Sequence, residues 1–449
     1  MNTRLFNLWL KIRSSFWFIP SLMTCSAMLL ASLTILLDRF LEATSPAEVG
    51  FFYTLGPSGA RTFLATVAGS VMTIAGVAFS ITIVALTLAS SQFGPRLLKN
   101  FMKDIGNQIV LGTFIATFLY CLLVLGAIRE NSQTVFVPHL SLLVGLLLTL
   151  ASLGVFIFFI HHISVSIHAD NVIAAVSHDL KRAIERVFTD KMGESPPPSE
   201  PALESLLPDG FDQDSVSLCS PASGYLQAID SRGILTLATR HDLLIHLLYR
   251  PGEFIVEGET IGKVWPQTNT TEEIMRNLQG SFFLGSQRTE EQDIEFSIHQ
   301  LVEVALRALS SGINDPFTAI TCIDRLGDAL TFLASRVPPA YARYDEQDTL
   351  RVITHPVTID GIFDAAFNQI RQYGSSSVAV GIRLLEIFQI MAANTHNPKA
   401  HQAIRRHAAM VKEGMVKTLG EASDRKEVEE RYESVLQSVL EAVPSKVSG

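Results

Sequence analysis

The chain has 449 residues, of which 48% are hydrophobic and 18% charged, with a formal net charge of −9. That length admits two or three domains, and the charged fraction lies below the roughly 25% of an average soluble domain. The acidic balance leaves no basic surface for a nucleic-acid partner, and the separate cysteines Cys25, Cys121, Cys219 and Cys322 give no sign of a disulfide framework or a cysteine zinc site.

A mean hydropathy of +0.29 comes from apolar runs gathered before residue 161. Residues 16–37, 62–89, 107–128 and 137–160 contain no Asp, Glu, Lys or Arg. Each reaches the 20 or so residues needed to cross about 30 Å of hydrocarbon, so four membrane-spanning helices are predicted. The first is too long for a signal-peptide core. Arg4, Lys11 and Arg13 precede the first run, and Arg96, Lys99 and Lys103 separate the second from the third. The other two connections are nearly charge-balanced, which predicts both termini in the cytoplasm.

The second run carries Gly69, Thr73, Gly76, Ser80, Thr87 and Ser91 at helical spacing, with the apolar Ile83 between Ser80 and Thr87. Such a stripe either lets helices pack closely or forms a water-facing wall with an apolar constriction near Ile83. Four helices enclose little space, so a conduit would need several copies around an axis. Arg96, Lys99 and Lys103 follow Gly94-Pro95 and either set topology at anionic headgroups or form a basic mouth. His161, His162, His168 and His178 gather where the fourth span ends, without the i, i+3 or i+4 spacing of a helical ligand pair. No metal and no cofactor is expected.

After residue 160 the apolar periodicity continues through Ile167, Val172, Val176, Leu180, Ile184 and Val187, predicting one helix that leaves the membrane as a stalk over 161–192. The prolines of "GESPPPSEP" turn 193–212 into a linker. Residues 213–266 read as a small β-module with "RGILTLATRHD" as a short helix inside it. This module is similar to the half-barrel of lipoyl and biotinyl carrier domains, but Lys263 lies within the last strand rather than at a hairpin tip, so the shape is expected without the chemistry. Residues 267–442 are expected to form a helical domain, with Asp315 capping a helix that starts at Pro316 and a tail over 443–449. The fold class is therefore a four-helix transmembrane domain (1–160) followed by a cytoplasmic α+β region.

In that last region Arg288, Glu291, Asp293, Arg307, Asn314 and Asp315 place many polar groups near two helix ends. Helix capping with inter-subunit ion pairs, a small regulatory ligand, or hydrolysis are three readings of this cluster. No HExxH, GxSxG or Walker loop is present, so no enzyme class is assigned.

The segments "VAFSITIVALTLASSQFGPRLLKNF", "GNQIVLGTFIATFLYCLLVL", "RTEEQDIEFSIHQLVEVALRALSSGINDPFTAI" and "IDRL" resemble bacterial predicted membrane proteins grouped as domain of unknown function 2254, over residues 10 to 435. The resemblance implies a multi-pass protein of the bacterial cytoplasmic membrane with a cytoplasmic C-terminal region, and it supplies no ligand and no functional residues. The lipid bilayer and further copies of the chain are the expected partners. The expectation is a homo-oligomer with a passive-channel core and a cytoplasmic assembly or gating domain; the rival is a membrane-anchored sensor or scaffold.

Overall fold

Uncharged apolar runs become helices because a helix satisfies every backbone N–H and C=O within the segment. A computed structural model describes residues 17–44, 56–97, 104–131, 134–189, 206–336, 339–355 and 357–442. The chain divides into two units, Met1–Asn171 and Val172–Gly449.

The first unit holds four antiparallel helices: α1 (Phe18–Thr44), α2 (Pro57–Phe93), α3 (Ile105–Ala127) and α4 (His139–Ser166). All four are long and apolar enough to cross a membrane. Both α1 and α2 outrun their charge-free stretches: α1 continues through Asp38 to Thr44, and the 37 residues of α2 begin at Pro57. At 1.5 Å per residue α2 is about 55 Å long, well over the hydrocarbon thickness. It stops at Gly94, whose φ of 105° suits only glycine and whose N–H bonds Ser90 O. A short hairpin, β1 (Arg129–Asn131) with β2 (Thr134–Phe136), joins α3 to α4. The central helix is α3. Its Gly112 lies so close to α1 that a Cβ would stand 3.2 Å from Pro20 Cα, and Phe114, Tyr120, Leu142 and Phe159 are almost completely buried in the core.

The expected single helix from span to stalk is two helices. α4 ends at Ser166 and α5 (Ala169–Thr189) restarts, with the Asn171 side chain donating to Val165 O across the break. Nor is α5 a free stalk: Ile173, Val176, Leu180 and Ile184 are fully buried in the second unit. Lys181–Asp328 and Arg336–Glu185 ion pairs tie it there to α9 (Pro316–Ala334) and the residues that follow. The periodic face that signals a helix equally signals one that must be covered.

Beyond it come β3 (Val216–Cys219), β4 (Gly224–Ile229), α6 (Ser231–Arg240), β5 (Leu244–Leu247), β6 (Phe254–Ile255), β7 (Thr260–Trp265), α7 (Glu272–Gln279) and β8 (Phe282–Gly285). The stretch 213–266 does not close on itself. Its β4 takes β8 as a partner, and its β5 pairs in parallel with β10 (Leu350–Ile353), which β9 (Ala342–Tyr344) flanks. The result is a five-stranded sheet, β3-β7-β5-β10-β9, and a three-stranded sheet, β6-β4-β8. An unpaired strand edge is a liability, and β5 is almost wholly buried, as an interior strand must be. Lys263 sits mid-strand in β7 with its Nζ 2.6 Å from Asp212, a structural ion pair.

The helices α8 (Ile294–Ala308), α9, α10 (Ile359–Tyr373), α11 (Val378–Ala393), α12 (Pro398–Thr418) and α13 (Ala422–Ala442) complete the unit. Asp293, Asp315, Thr358 and Asn397 cap the first, second, third and fifth of these through their own side chains. The proline-rich segment lies outside the described residues over 190–205, as does the tail from 443.

Candidate functional site

All seven stripe residues of α2, from Gly69 through Thr73, Gly76, Ser80, Ile83 and Thr87 to Ser91, are exposed on the chain. A Cβ at Gly69 or Gly76 would meet nothing within 4 Å. Contact within the chain instead uses the alanine face, where Ala60, Ala68, Ala75, Ala78, Ala85 and Ala89 are buried. The hydroxyls of Thr73 and Thr87 bond the carbonyls of Gly69 and Ile83, each at 2.9 Å, so both are satisfied by their own helix. Between the helices, the cavity beside Thr82 and Asn107 measures about 20 Å³, room for about one water. Phe114 and Phe159, almost completely buried, line that cavity. Arg96 is exposed in a 3-10 turn just past Gly94, while Lys99 and Lys103 lie outside the described residues.

Two carboxylates lock the ends of this bundle. Asp104 caps α3 through the Gly106 N–H (2.8 Å) and holds His162 Nε2 at 2.6 Å, so one of the four clustered histidines is a clamp between α3 and α4. At the opposite end the buried Asp38 accepts from Leu140 N–H (2.8 Å), Ser141 N–H (2.9 Å) and the Ser141 hydroxyl (2.6 Å). Tyr120 adds hydrogen bonds to Thr34 and to Ser141 O. The sequence assigns Asp38 to a connection, yet it caps α4 across about a hundred positions. Its trace in the sequence is indirect: Pro138, which precedes α4, has no side chain able to cap.

The polar cluster of the second unit separates into distinct contacts. Arg288 binds Asp293 through two hydrogen bonds of 2.7 and 2.9 Å, and Asp293 also caps α8. Gly252, at φ 101°, presses its backbone onto that carboxylate: a Cβ there would fall 2.6 Å from Asp293 Cγ. Arg288 also contacts His299, and Glu295 bridges from Arg288 (4.0 Å) to Arg250 (2.8 Å). Burial outweighs its arginine partners and holds the Glu295 carboxyl above its usual range. Glu291 pairs with Arg186 at 3.0 Å, and Arg307 pairs with Glu303 one turn away. Asp315 accepts the Thr318 hydroxyl and the amides of Phe317 and Thr318, which lowers its carboxyl; the preceding Asn314 takes the left-handed turn (φ 51°). Among the described residues no group of three or more His, Cys, Asp or Glu stands ready to hold a metal ion.

Beside the Arg186–Glu291 pair opens a cavity of about 320 Å³ that the sequence does not signal. Its walls come from the end of α5, the start of α6, the turn after β5, the segment before α8, and the flanks of β9 and β10. Arg186, Arg232, Arg250 and Arg343 all line it, with His355 and Tyr249. These residues are spread over 170 positions in separate segments, so no local motif announces them.

No solved structure is significantly similar to the chain. The uncharacterized protein Rv1290c of Mycobacterium tuberculosis (strain H37Rv) is 31% identical over 383 residues, covering 82% of this chain and 70% of its own length. The uncharacterized protein Mb1321c of Mycobacterium bovis gives the same figures. Residues 13–389 match the family of predicted membrane proteins DUF2254, and with that extent of match the chain belongs to it.

Proposed function

We propose that this protein is a homo-oligomer of the bacterial cytoplasmic membrane, inserted by α1–α4 with both termini in the cytoplasm, whose copies meet along the outward stripe of α2 around a passive conduit. The observation that carries this reading is the outward placement of Gly69, Thr73, Gly76, Ser80, Thr87 and Ser91 on a helix whose alanine face already serves the chain's own core. Small and hydroxyl residues let membrane helices approach closely, and a lipid-facing position makes no use of that property. With room for about one water in the cavity inside one bundle, any path runs between copies, and Ile83 supplies an apolar constriction of the kind that gates by dewetting. The basic residues after α2 then face the cytoplasmic mouth.

The test is cross-linking in native membranes joined to flux in liposomes. Ser80→Cys should cross-link into dimers, whereas Leu150→Cys, on the exposed face of α4, should not. In liposomes Ile83→Ser should raise ion leak severalfold and Ile83→Trp should suppress it. Equal cross-linking at both positions, together with no flux under voltage, tension or osmotic shock, would overturn the proposal. A second reading, a membrane-anchored sensor, is favoured by the arginine-lined cavity of the second unit. It requires ligand binding there but no flux.

A further inference from the structure

We propose that the cavity of the second unit binds a phosphate monoester on an organic body of mononucleotide size. Its volume of about 320 Å³ lies at the lower end of small-molecule sites, roughly 300 to 1,000 Å³. Four guanidinium groups line it against two carboxylates, Asp230 and Glu291, in a chain whose net charge is −9. Both acids are engaged: Asp230 caps α6 through the Gly233 N–H at 3.0 Å, and Glu291 is held by Arg186 at 3.0 Å. Arg343 is only 6% exposed and Arg250 is half-buried against Glu295, while Arg186 and Arg232 reach solvent, so the basic lining runs from the fold's interior out to the mouth.

The lining combines a basic set with an apolar set. Among the basic set, Arg232 stands with Ser231 in the first turn of α6. The first amides of a helix have no acceptor within it and favour an anion, and a guanidinium fork matches phosphate oxygens two at a time. A doubly charged monoester rewards several arginines more than a carboxylate does. Leu247, Ile229, Val187 and the Tyr249 ring, whose hydroxyl is fixed by Glu259, add apolar surface beside the polar Gln292, Thr354 and His355. That lining suits a ring system and distinguishes an organic phosphate from the inorganic ion. Soluble metabolites and lipid headgroups both present such a monoester, so the source is set by experiment.

Calorimetry on the full chain in detergent decides the matter, with adenosine 5′-monophosphate, adenosine, inorganic phosphate and dihexanoyl phosphatidic acid as probes. The mononucleotide should bind, with adenosine at least about tenfold weaker for want of the charge-assisted contacts and inorganic phosphate at least about tenfold weaker for want of the apolar body. Arg232→Gln, at an exposed position, should weaken binding about tenfold. Glu291→Gln removes a carboxylate from the lining together with its ion pair to Arg186, so it should tighten binding severalfold, an effect that a merely structural role for Glu291 would not produce. The same dependence seen with phosphatidic acid alone upholds the phosphate site and assigns its source to lipid. No binding of either monoester at millimolar concentration, equal affinity for adenosine and its monophosphate, or indifference to both substitutions would overturn the proposal.

Discussion

His407 on α12 is fully buried among Phe363, Phe367 and Phe388, with ring centroids near 6 Å from each. Burial first, then the Arg406 and Arg371 charges, push its pKa down to about 4, against the opposing pull of Asp364 at 3.2 Å. The unfolded chain takes up this proton near pH 6.5 and the folded chain only near pH 4. The contribution is therefore complete above pH 6.5 and is lost as pH falls through that window, by roughly 3 kcal/mol in all. His407→Phe should retain the shape, hold the midpoint of thermal unfolding at pH 7.5, and remove much of the decline that the parent shows between pH 6.5 and 4.5. An unchanged decline would show that other groups set acid sensitivity. Asp38 is the counterpart in the first unit. Asp38→Ala removes three hydrogen bonds that hold the start of α4 and should cost about 1 to 3 kcal/mol, with Asp38→Asn milder, read as the loss of folded protein in detergent on heating. Neither residue was legible in the sequence. His407 is one of two histidines on a periodic helix, and Asp38 sits just past an apolar run, so the neighbours that give them meaning are distant in the chain.

At the scale of the element, α2 presents two faces that composition does not tell apart. Both are rich in small residues at helical spacing, and only three-dimensional placement makes the alanine face internal and the glycine–hydroxyl face external. Substitution separates their roles. Ala75→Leu overfills the contact within the chain, where Ala75 is 6% exposed, and should destabilise the bundle by about 1 to 3 kcal/mol. Gly69→Leu meets open space and should leave the bundle intact while abolishing cross-linking through Ser80→Cys. Loss of folded protein in the second variant would place Gly69 in the chain's own core. The four apolar helices themselves were plain in the sequence, because a long uncharged run has few other solutions. The helix over 231–240 and the cap at Asp315 were legible through local signals. The break at Ile167–His168 was not, since apolar periodicity runs straight across it.

For the whole molecule, pairings distant in sequence escape a linear reading: β10 joins β5 from about a hundred residues away, and the arginine cavity exists only once that sheet forms. Orientation is the opposite case, because the sequence decides what the fold leaves open. The bonds Asp38–Ser141 and Arg61–Ile128 O collect the connections after α1 and α3 at one end of the bundle, and Asp104–His162 marks the other. In the sequence the connections after α1 and α3, with the residues flanking them, hold Arg39, Arg61 and Arg129 against Asp38, Glu42, Glu48 and Glu130. The stretches before α1 and after α2 hold Arg4, Lys11, Arg13, Arg96, Lys99 and Lys103 against Asp104 alone. Positive residues near span ends are retained in the cytoplasm, so the Asp104 end should be internal. A reporter active only outside the cytoplasm should work when inserted after Glu130 and fail when fused after Gly449. Replacing Arg96, Lys99 and Lys103 with glutamine halves the six basic residues of those stretches and should produce a mixed population, whereas replacing Arg129 should not. A cytoplasmic signal after Glu130 in the parent chain would reverse the orientation and turn the basic mouth away from the cytoplasm.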